Sequence, residues 1–394
     1  MRIFLKWLLR LVAVLVVVAL AIGLWKREEI TRLLAVNSLF SEEKIVRNFS
    51  NMNAAFLTVD VPRGNTPTSP LPYGPETRLP AEVDSWIVER TVTALPVLKD
   101  GELVYENYFR GNQPDDRRIS WSVAKSYISA VVGILLEEGA IESIDDPVTK
   151  YAPELKGTAY DRATLKQVLQ MASGVVFDED YLDPKSDINR MGRILALGGR
   201  MDDFAAGLTE TFADPGAEWK YTSIDTHVVS MVVRGATGRS LTDLLSEKVI
   251  QPLGVEYAPY YVTDGVGTAF ALGGLNITTR DYARFGQMFL QHGQWQGRQI
   301  VPEDWVIAST TPSAPPAAAS APASGKFYDY GYQWWIPKDA SPREYLARGI
   351  YGQYIYINEP EGVVIVTSSA DRQFREPGID PSNVAMFRTI AANL

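Results

Sequence analysis

Ser122 and Lys125 lie three residues apart, in a segment that reads Ser-Trp-Ser-Val-Ala-Lys-Ser from position 120 to 126. On an α-helix, residues at this spacing share one face with their Cβ atoms roughly 5 to 6 Å apart, so the amine can reach the hydroxyl one turn earlier. A hydroxyl beside a proton acceptor is the minimum apparatus for nucleophilic acyl transfer. The pair therefore predicts a covalent step on Ser122.

The same spacing occurs at Ser41 and Lys44, where the intervening glutamates are typical of a capping box that opens a charged helix. Only Ser122 precedes an apolar helix, which the pattern predicts over 122–139 and which closes on Gly139. The first turn of a helix has unsatisfied N–H groups and a positive dipole, which stabilise a nearby oxyanion. The context favours Ser122.

Tyr221 and Ser223 form a second candidate group. A Pro-Gly turn at 215–216 precedes them, and residues two apart in an extended segment point the same way. The same Tyr-x-Asn or Tyr-x-Ser spacing recurs at three other places: 105–107, 127–129 and 356–358. The spacing alone is therefore weak evidence.

Composition excludes several function classes. The 394 residues are 46% hydrophobic and 22% charged, enough for one large domain or two closely packed domains. A net charge of −9 and a pI near 5.0, without a basic patch, argue against binding a phosphate backbone. We therefore expect no nucleic-acid partner.

The chain contains no cysteine, which excludes disulfides, thiolate metal sites and thiol nucleophiles. Its two histidines, His227 and His292, are not at the spacing of a zinc-binding pair. A Ser-His-Asp triad is disfavoured, although His227 alone could serve one. We expect neither a metal nor a cofactor.

The first 25 residues predict an export signal or a membrane anchor. Arg2, Lys6 and Arg10 precede an almost unbroken apolar stretch over 11–25. The small residues at 19–21 resemble a signal-peptidase site, but the length favours an uncleaved anchor. The charge bias predicts a cytoplasmic N-terminus and a body facing the periplasm or cell exterior, or a secreted protein if the segment is cleaved.

Downstream, residues 26–80 are predicted to form a helix and an extended arm, and 81–394 to form the catalytic domain. The Asp-Gly turn at 100–101, between two apolar runs, predicts a β-hairpin. The middle of the chain, 141–292, is predicted to be mainly helical, and the run 311–325 a surface loop.

The C-terminal part returns to strand patterns at 332–335, 353–357 and 362–367 and ends in a helix over 381–394. Strands, then inserted helices, then strands predict an α+β fold with two lobes. The two ends of the chain would share one antiparallel sheet flanked by helices, and a helical lobe would be inserted between them.

The order of these motifs resembles the serine beta-lactamase and penicillin-binding-protein-like hydrolases, in particular the class C and esterase branch. The resemblance runs from about 95 to 365. It rests on the Asp-Gly hairpin and on four motifs: 120–126, 169–174, 221–223 and 349–353. Two runs, Gly-Ile-Tyr-Gly-Gln at 349–353 and Glu-Asp-Tyr at 179–181, resemble the 6-aminohexanoate-dimer (nylon oligomer) hydrolases more than they resemble true beta-lactamases.

The resemblance implies that Ser122 attacks a small ester or amide, that Lys125 and Tyr221 relay its proton, and that the N–H groups of Ser122 and Ile350 form the oxyanion hole. It also implies four substrate contacts: Tyr181, Ser223, Tyr351 and Gln353. Either base must lower its pKa by roughly 3 from an ordinary value near 10. Burial disfavours the ammonium, and a nearby ammonium favours the phenolate.

The family's third motif, Lys-Thr-Gly or His-x-Gly, is missing, since Tyr-Leu-Ala-Arg stands at 345–348. Arg348 is left as a substitute for the missing charge. Two alternatives to an esterase or amidase remain open: a D,D-peptidase that penicillin acylates, and a non-catalytic member that binds cell wall or a partner protein. The sequence leaves the oligomeric state open.

Overall fold

The structure is a computed structural model that describes residues 2–394. The strands are β1 Leu57–Asp60, β2 Val92–Lys99, β3 Glu102–Tyr108, β4 Arg118–Ile119, β5 Tyr260–Thr263, β6 Leu275–Ile277, β7 Gln294–Trp295, β8 Arg298–Gln299, β9 Tyr328–Tyr330, β10 Trp335–Pro337, β11 Glu344–Gly349, β12 Gln353–Asn358 and β13 Val363–Ser369. The α-helices are α1 Arg2–Trp25, α2 Arg27–Asn37, α3 Ile45–Asn48, α4 Ala81–Glu89, α5 Ala124–Glu137, α6 Leu165–Leu169, α7 Asp187–Leu197, α8 Met201–Ala206, α9 Ser223–Thr237, α10 Leu241–Leu245, α11 Gln251–Leu253, α12 Thr279–Leu290, α13 Glu303–Ser309, α14 Ser324–Phe327 and α15 Ile379–Ala391.

The main sheet joins the two parts of the chain that the strand patterns predicted. Its seven antiparallel strands run in the order β3-β2-β13-β12-β11-β10-β9. The predicted hairpin is present between β2 and β3, where Asp100 and Gly101 have φ of 50° and 85°. Two positive φ angles match the twist of a two-residue hairpin loop. The predicted α+β fold is confirmed.

Helices cover both faces of this sheet. In β12, Tyr354 and Tyr356 pack on the side of α4 and α15, while Ile355 and Ile357 pack in the core on the other side. Successive strand residues point to opposite faces, so a strand covered on both sides is buried at every position. This explains why β12 and β13 are buried at every position, although polar residues stand at both ends of β12 and over the last three positions of β13.

The inserted part is helical but also holds two strands that the sequence did not predict. β5 and β6 form a small antiparallel sheet in the order β1-β5-β6-β4. The Ser120 N–H extends this pairing by donating to Leu275 O at 2.7 Å. The small sheet thus fixes the chain immediately before Ser122.

Two local expectations are wrong. Residues 332–334 form the connection between β9 and β10 rather than a strand, because Gln333 has a φ of 65°. Ser41 does not open a capping box: α3 begins at Ile45, and the Ser41 hydroxyl donates to Ser38 O at 3.0 Å.

The N-terminal segment is exposed, whereas the segment after it is packed. Among the described residues, one helix, over Ile3–Trp25, is long and apolar enough to cross a membrane, a property that a signal sequence shares. Between 26 and 80, β1 pairs with β5, and Leu39, Phe49 and Val61 join the core. The stretch from Val61 to Pro80 contains no helix or strand, and its backbone hydrogen-bonds the body, for example from the Ser69 N–H to Gly254 O and from the Gly74 N–H to Leu103 O.

Candidate active site

Ser122 lies where β4 passes into α5. The chain makes one turn of 3-10 helix over Trp121–Val123, and α5 begins at Ala124, so Ser122 precedes the α-helix instead of lying in its first turn. Trp121 has a φ of 43°, which is uncommon for a bulky residue. Such backbone conformations persist only where the surroundings enforce them, and they cluster at functional sites.

Lys125 lies directly beneath the Ser122 hydroxyl. Its Nζ is 2.9 Å from Ser122 Oγ and donates to Leu272 O at 2.7 Å. The side chain is 1% exposed. Burial lowers the pKa of Lys125 to about 7, against the opposing charge of Glu179. A substantial fraction of Lys125 is therefore neutral near pH 7 and able to accept a proton.

Glu179 belongs to the Glu-Asp-Tyr motif at 179–181, but the sequence analysis assigned no catalytic role to its carboxylate. Its carboxylate accepts hydrogen bonds from the Ser223 N–H and from the Tyr181 hydroxyl, the latter at 2.9 Å. Burial raises the pKa of Glu179, and the charge of Lys125 acts in the opposite direction. Glu179 therefore links two predicted substrate contacts, Tyr181 and Ser223, and its charge raises the pKa of Lys125.

Tyr221 completes the group, with Lys125 Nζ 5.3 Å from the centre of its ring. The ring stacks on Trp335 at a centroid distance of 5.1 Å. Burial and then the charge of Glu179 raise the pKa of Tyr221 well above 10, and the Ser122 hydroxyl and the Arg348 charge oppose this shift only in part. The phenol is therefore neutral, and Lys125 is the better base of the two.

The turn between β11 and β12 lies against the Ser122 backbone. A Cβ added at Gly349 would lie 2.6 Å from Ser120 O and 3.1 Å from Ser122 N, so only glycine permits this approach. Gln353 fixes the same turn: its amide donates to Ile350 O at 3.2 Å, Tyr351 O at 3.1 Å and Ser369 O at 2.9 Å.

A cavity of about 380 Å³ opens above Ser122. Four predicted site residues line it: Ser122, Tyr181, Ser223 and Ile350. Most of the remaining wall is apolar and includes Phe270 and Leu272. The Ser223 Oγ is buried and meets no hydrogen-bond partner among residues 2–394. An apolar cavity with few polar groups is typical of a small-molecule site.

The other two predicted substrate contacts, Tyr351 and Gln353, do not line the cavity. Gln353 is 4% exposed, and its side-chain amide N–H groups donate to backbone carbonyls. Tyr351, with a φ of 60°, stacks on Phe40 and packs against Phe374 at a centroid distance of 4.6 Å. Both residues shape the turn that carries Ile350.

Arg348, which the sequence left as a substitute for the third motif, is already paired. Its guanidinium donates to both carboxylate oxygens of Asp380, at 2.7 and 2.8 Å. A bidentate pair of this kind satisfies the charge and fixes its geometry. The guanidinium therefore offers little charge to a substrate carboxylate.

Neither histidine contributes to this group. His227 is buried and its Nε2 lies 2.8 Å from Asp202 Oδ1, and His292 lies between Glu303 and Glu359. Within the described range, 2–394, no group of three or more His, Asp or Glu side chains could hold a metal ion.

No sequence motif indicated one wall of the cavity. Val36, Asn37, Leu39 and Phe40, at and after the end of α2, line it opposite the body. These residues are remote from Ser122 along the chain, and no periodicity or motif in the sequence predicts that they contact the cavity.

Comparisons with known proteins identify the family of this chain. The family model described as Beta-lactamase matches residues 87–383. A 6-aminohexanoate-dimer hydrolase of Paenarthrobacter ureafaciens is 33% identical over 301 residues, which are 75% of this chain and 76% of that protein.

Two solved structures share the fold. One from Bacillus anthracis, described as a candidate 6-aminohexanoate-dimer hydrolase, has a TM-score of 0.76 and 26% identity, covering 90% of this chain and 95% of that one. One from Bacteroides dorei, described as a candidate beta-lactamase, has a TM-score of 0.64 and 22% identity, covering 79% of this chain and 97% of that one.

Proposed function

The chain belongs to the beta-lactamase family of serine hydrolases, and on that premise we propose that it cleaves an ester or amide through an acyl-enzyme on Ser122. The observation that carries the proposal is the hydrogen bond of 2.9 Å between Ser122 Oγ and a buried Lys125 whose pKa lies near neutrality. A neutral amine in this position accepts the hydroxyl proton as the oxygen attacks.

In the proposed mechanism, Ser122 Oγ forms a bond to the carbonyl carbon and gives its proton to Lys125. The N–H groups of Ser122 and Ile350 stabilise the oxyanion. The neutral Tyr221 phenol donates its proton to the leaving oxygen or nitrogen as that bond breaks, and Lys125 returns a proton to Tyr221. Water then cleaves the acyl-enzyme by the reverse relay.

The esterase or amidase assignment is favoured over a D,D-peptidase by the missing third motif. Asp380 neutralises Arg348, which leaves the position of that motif without a free cation for a substrate carboxylate. Retention of Ser122, Lys125 and Tyr221 in one group counts against a non-catalytic member. The relative named as a 6-aminohexanoate-dimer hydrolase makes a linear amide a natural test substrate.

The test is to expose the full chain in detergent to p-nitrophenyl acetate, 6-aminohexanoate dimer and a fluorescent penicillin, and to look for added mass on the Ser122 peptide. We expect turnover of the ester, the amide or both, with little labelling by penicillin. Ser122→Ala should lower turnover at least about 10³-fold. Stoichiometric, long-lived penicillin labelling without ester or amide turnover would favour the D,D-peptidase.

Ser41→Ala is the matched control, because Ser41 has the same spacing to a lysine but its hydroxyl donates only to Ser38 O. It should leave turnover unchanged. If Ser122→Ala kept wild-type turnover, or if no substrate left an adduct or was hydrolysed, the proposal would be wrong.

A further inference from the structure

The helix that follows the apolar segment supplies one wall of the cavity above Ser122. Val36 of α2 and Leu39 and Phe40 just beyond it line that cavity. Leu39 is buried, and the Phe40 ring stacks on Tyr351 with a centroid distance of 5.2 Å and an interplanar angle of 12°. These contacts fix the wall to the catalytic body.

The same helix continues the apolar helix α1 without a linker. The Lys26 N–H donates to Ile22 O at 2.8 Å, and the Ile30 N–H donates to Lys26 O at 2.9 Å, so backbone hydrogen bonds run across the junction. The 11 residues of α2 span about 16 Å at 1.5 Å per residue. If α1 spans a bilayer, only the length of α2, about 16 Å, separates the membrane surface from the cavity wall.

Exposed apolar side chains lie at the cavity and on the helix that supplies one of its walls. Leu182 lines the cavity and is 81% exposed, and Leu34 and Ile30 on α2 are 64% and 43% exposed. Clustered apolar side chains on a surface mark a site of contact with a partner or a membrane. Ile30 and Leu34, four residues apart, share one face of the helix that continues α1, which indicates lipid as the contact.

We propose that the cavity receives the aliphatic chain of an amphiphilic ester or amide that reaches Ser122 from the membrane surface, along the wall that α2 and residues 39–40 provide. The inference rests on the proposed function, because the chain must end at a carbonyl that Ser122 attacks. The substrate class follows from an apolar cavity built in part by the helix that continues the membrane segment.

The first test measures kcat/KM of the full chain in detergent on p-nitrophenyl esters from acetate to decanoate. Each methylene that enters the cavity should raise kcat/KM about fourfold, which corresponds to about 0.8 kcal/mol, until the cavity is filled. A profile that is flat from acetate to decanoate would overturn the proposal.

Gly192 of α7 provides a variant that fills the cavity without threatening the fold. It lines the cavity, a Cβ added there meets no atom within 4 Å, and leucine favours a helix more than glycine does. Gly192→Leu should lower the ratio of kcat/KM for decanoate to that for acetate at least tenfold. Gly192→Ala, the matched control, gains helix propensity with one methyl group only and should lower the ratio much less. An unchanged ratio in Gly192→Leu would overturn the proposal.

The second test identifies the source of the substrate. The full chain is reconstituted in phosphatidylcholine vesicles, and 4-methylumbelliferyl hexadecanoate is placed either in the same vesicles or in separate ones. We expect hydrolysis at least tenfold faster when enzyme and ester share a bilayer. Equal rates would show delivery through solution and would contradict the membrane route.

The outcomes separate this inference from the proposed function. Turnover of acetate with an acyl adduct on Ser122 but no preference for longer chains would reject the inference and keep the function. The absence of both turnover and adduct with every ester and amide would reject the proposed function, and the inference with it.

Discussion

Lys125 lies in surroundings that penalise its ammonium form, and this sets the pH at which it can accept the Ser122 proton. Burial is the largest influence and lowers its pKa, while the negative charge of Glu179 raises it again. Tyr221 experiences the same two influences in one direction, because burial and a nearby carboxylate both disfavour a phenolate. One environment thus makes the lysine a base and keeps the tyrosine a proton donor.

This assignment predicts the pH dependence of turnover. Below a pH of about 7 the ammonium form of Lys125 dominates, so kcat/KM should fall about tenfold per pH unit, and above it kcat/KM should reach a plateau. Glu179→Gln removes the charge that raises the pKa of Lys125 and should move this acid limb to lower pH. The measurement is a profile of kcat/KM on p-nitrophenyl acetate between pH 5 and 9.

Asp178→Asn is the matched control for Glu179→Gln, since Asp178 is the exposed neighbour and its carboxylate accepts from the Asp180 N–H instead. It should leave the acid limb in place. An acid limb that did not move in Glu179→Gln, or that moved equally in Asp178→Asn, would contradict the role given to Glu179.

At the scale of elements, the close approach of β11 to the Ser122 turn is the contact that would position the proposed oxyanion donors. Gly349→Ala would place a methyl group 2.6 Å from Ser120 O and force the two backbones apart. Because a displacement of about 1 Å can cost about 10²-fold in rate, kcat should fall by about 10- to 100-fold. The measurement is kcat on p-nitrophenyl acetate together with Tm.

Gly286→Ala controls for the steric effect alone. On α12, the added methyl would lie 2.7 Å from side-chain atoms of Ile355 and Val364, in the core and away from the cavity. It should lower Tm through overpacking with little change in kcat. A Gly349→Ala variant that lost Tm but kept kcat would show that β11 has no part in positioning the site.

How far the sequence predicted these elements depended on how local their signals are. The β2–β3 hairpin and the helix after Ser122 were predictable, because an Asp-Gly turn and apolar periodicity lie within each segment. β5 and β6 were not, since strands of four and three residues are too short for a pattern and depend on distant partners.

The candidate site shows the same division. Ser122, Lys125 and Tyr221 lie in motifs that can be recognised in the chain, and the structure brings them together. The strand predicted over 332–335 does not form at 332–334. There the side-chain amide N–H of Gln333 donates to Leu169 O and the amide oxygen accepts from the Thr226 hydroxyl, and these contacts hold the Gln333 backbone at positive φ. The cavity wall after α2 likewise depends on tertiary contacts alone.

At the scale of the whole molecule, the predicted location of the catalytic body rests on the exposed helix α1. Its side chains are not buried by the body, and an 18-residue window within Ile3–Trp25 has a mean hydropathy of 2.7. Because the backbone bonds of α1 continue into α2, and α2 packs against the cavity, retention of the helix would fix the site close to a bilayer. Cleavage after Ala21 would instead release the body.

We expect the full chain to remain uncleaved and integral to the membrane, because the 23-residue helix Ile3–Trp25, whose only charged residues are Lys6 and Arg10, is long enough to span the hydrocarbon core. Expressed in a bacterial host, the protein should stay in the membrane fraction after a sodium carbonate wash, and mass spectrometry should find the peptide that spans Ala21. External protease should digest the body in spheroplasts, since the N-terminal charges favour a cytoplasmic N-terminus.

Leu15→Arg should lower the membrane-integrated fraction several-fold, because a charge near the centre of the span costs about 2.5 to 3.5 kcal/mol. Leu5→Arg is the matched control: near the end of the helix, the same side chain can extend to the interface and should be tolerated. A soluble protein whose N-terminus begins just after Ala21 would identify α1 as a cleaved signal. The route from the membrane to Ser122 would then be lost, while the hydrolase chemistry of the body would stand.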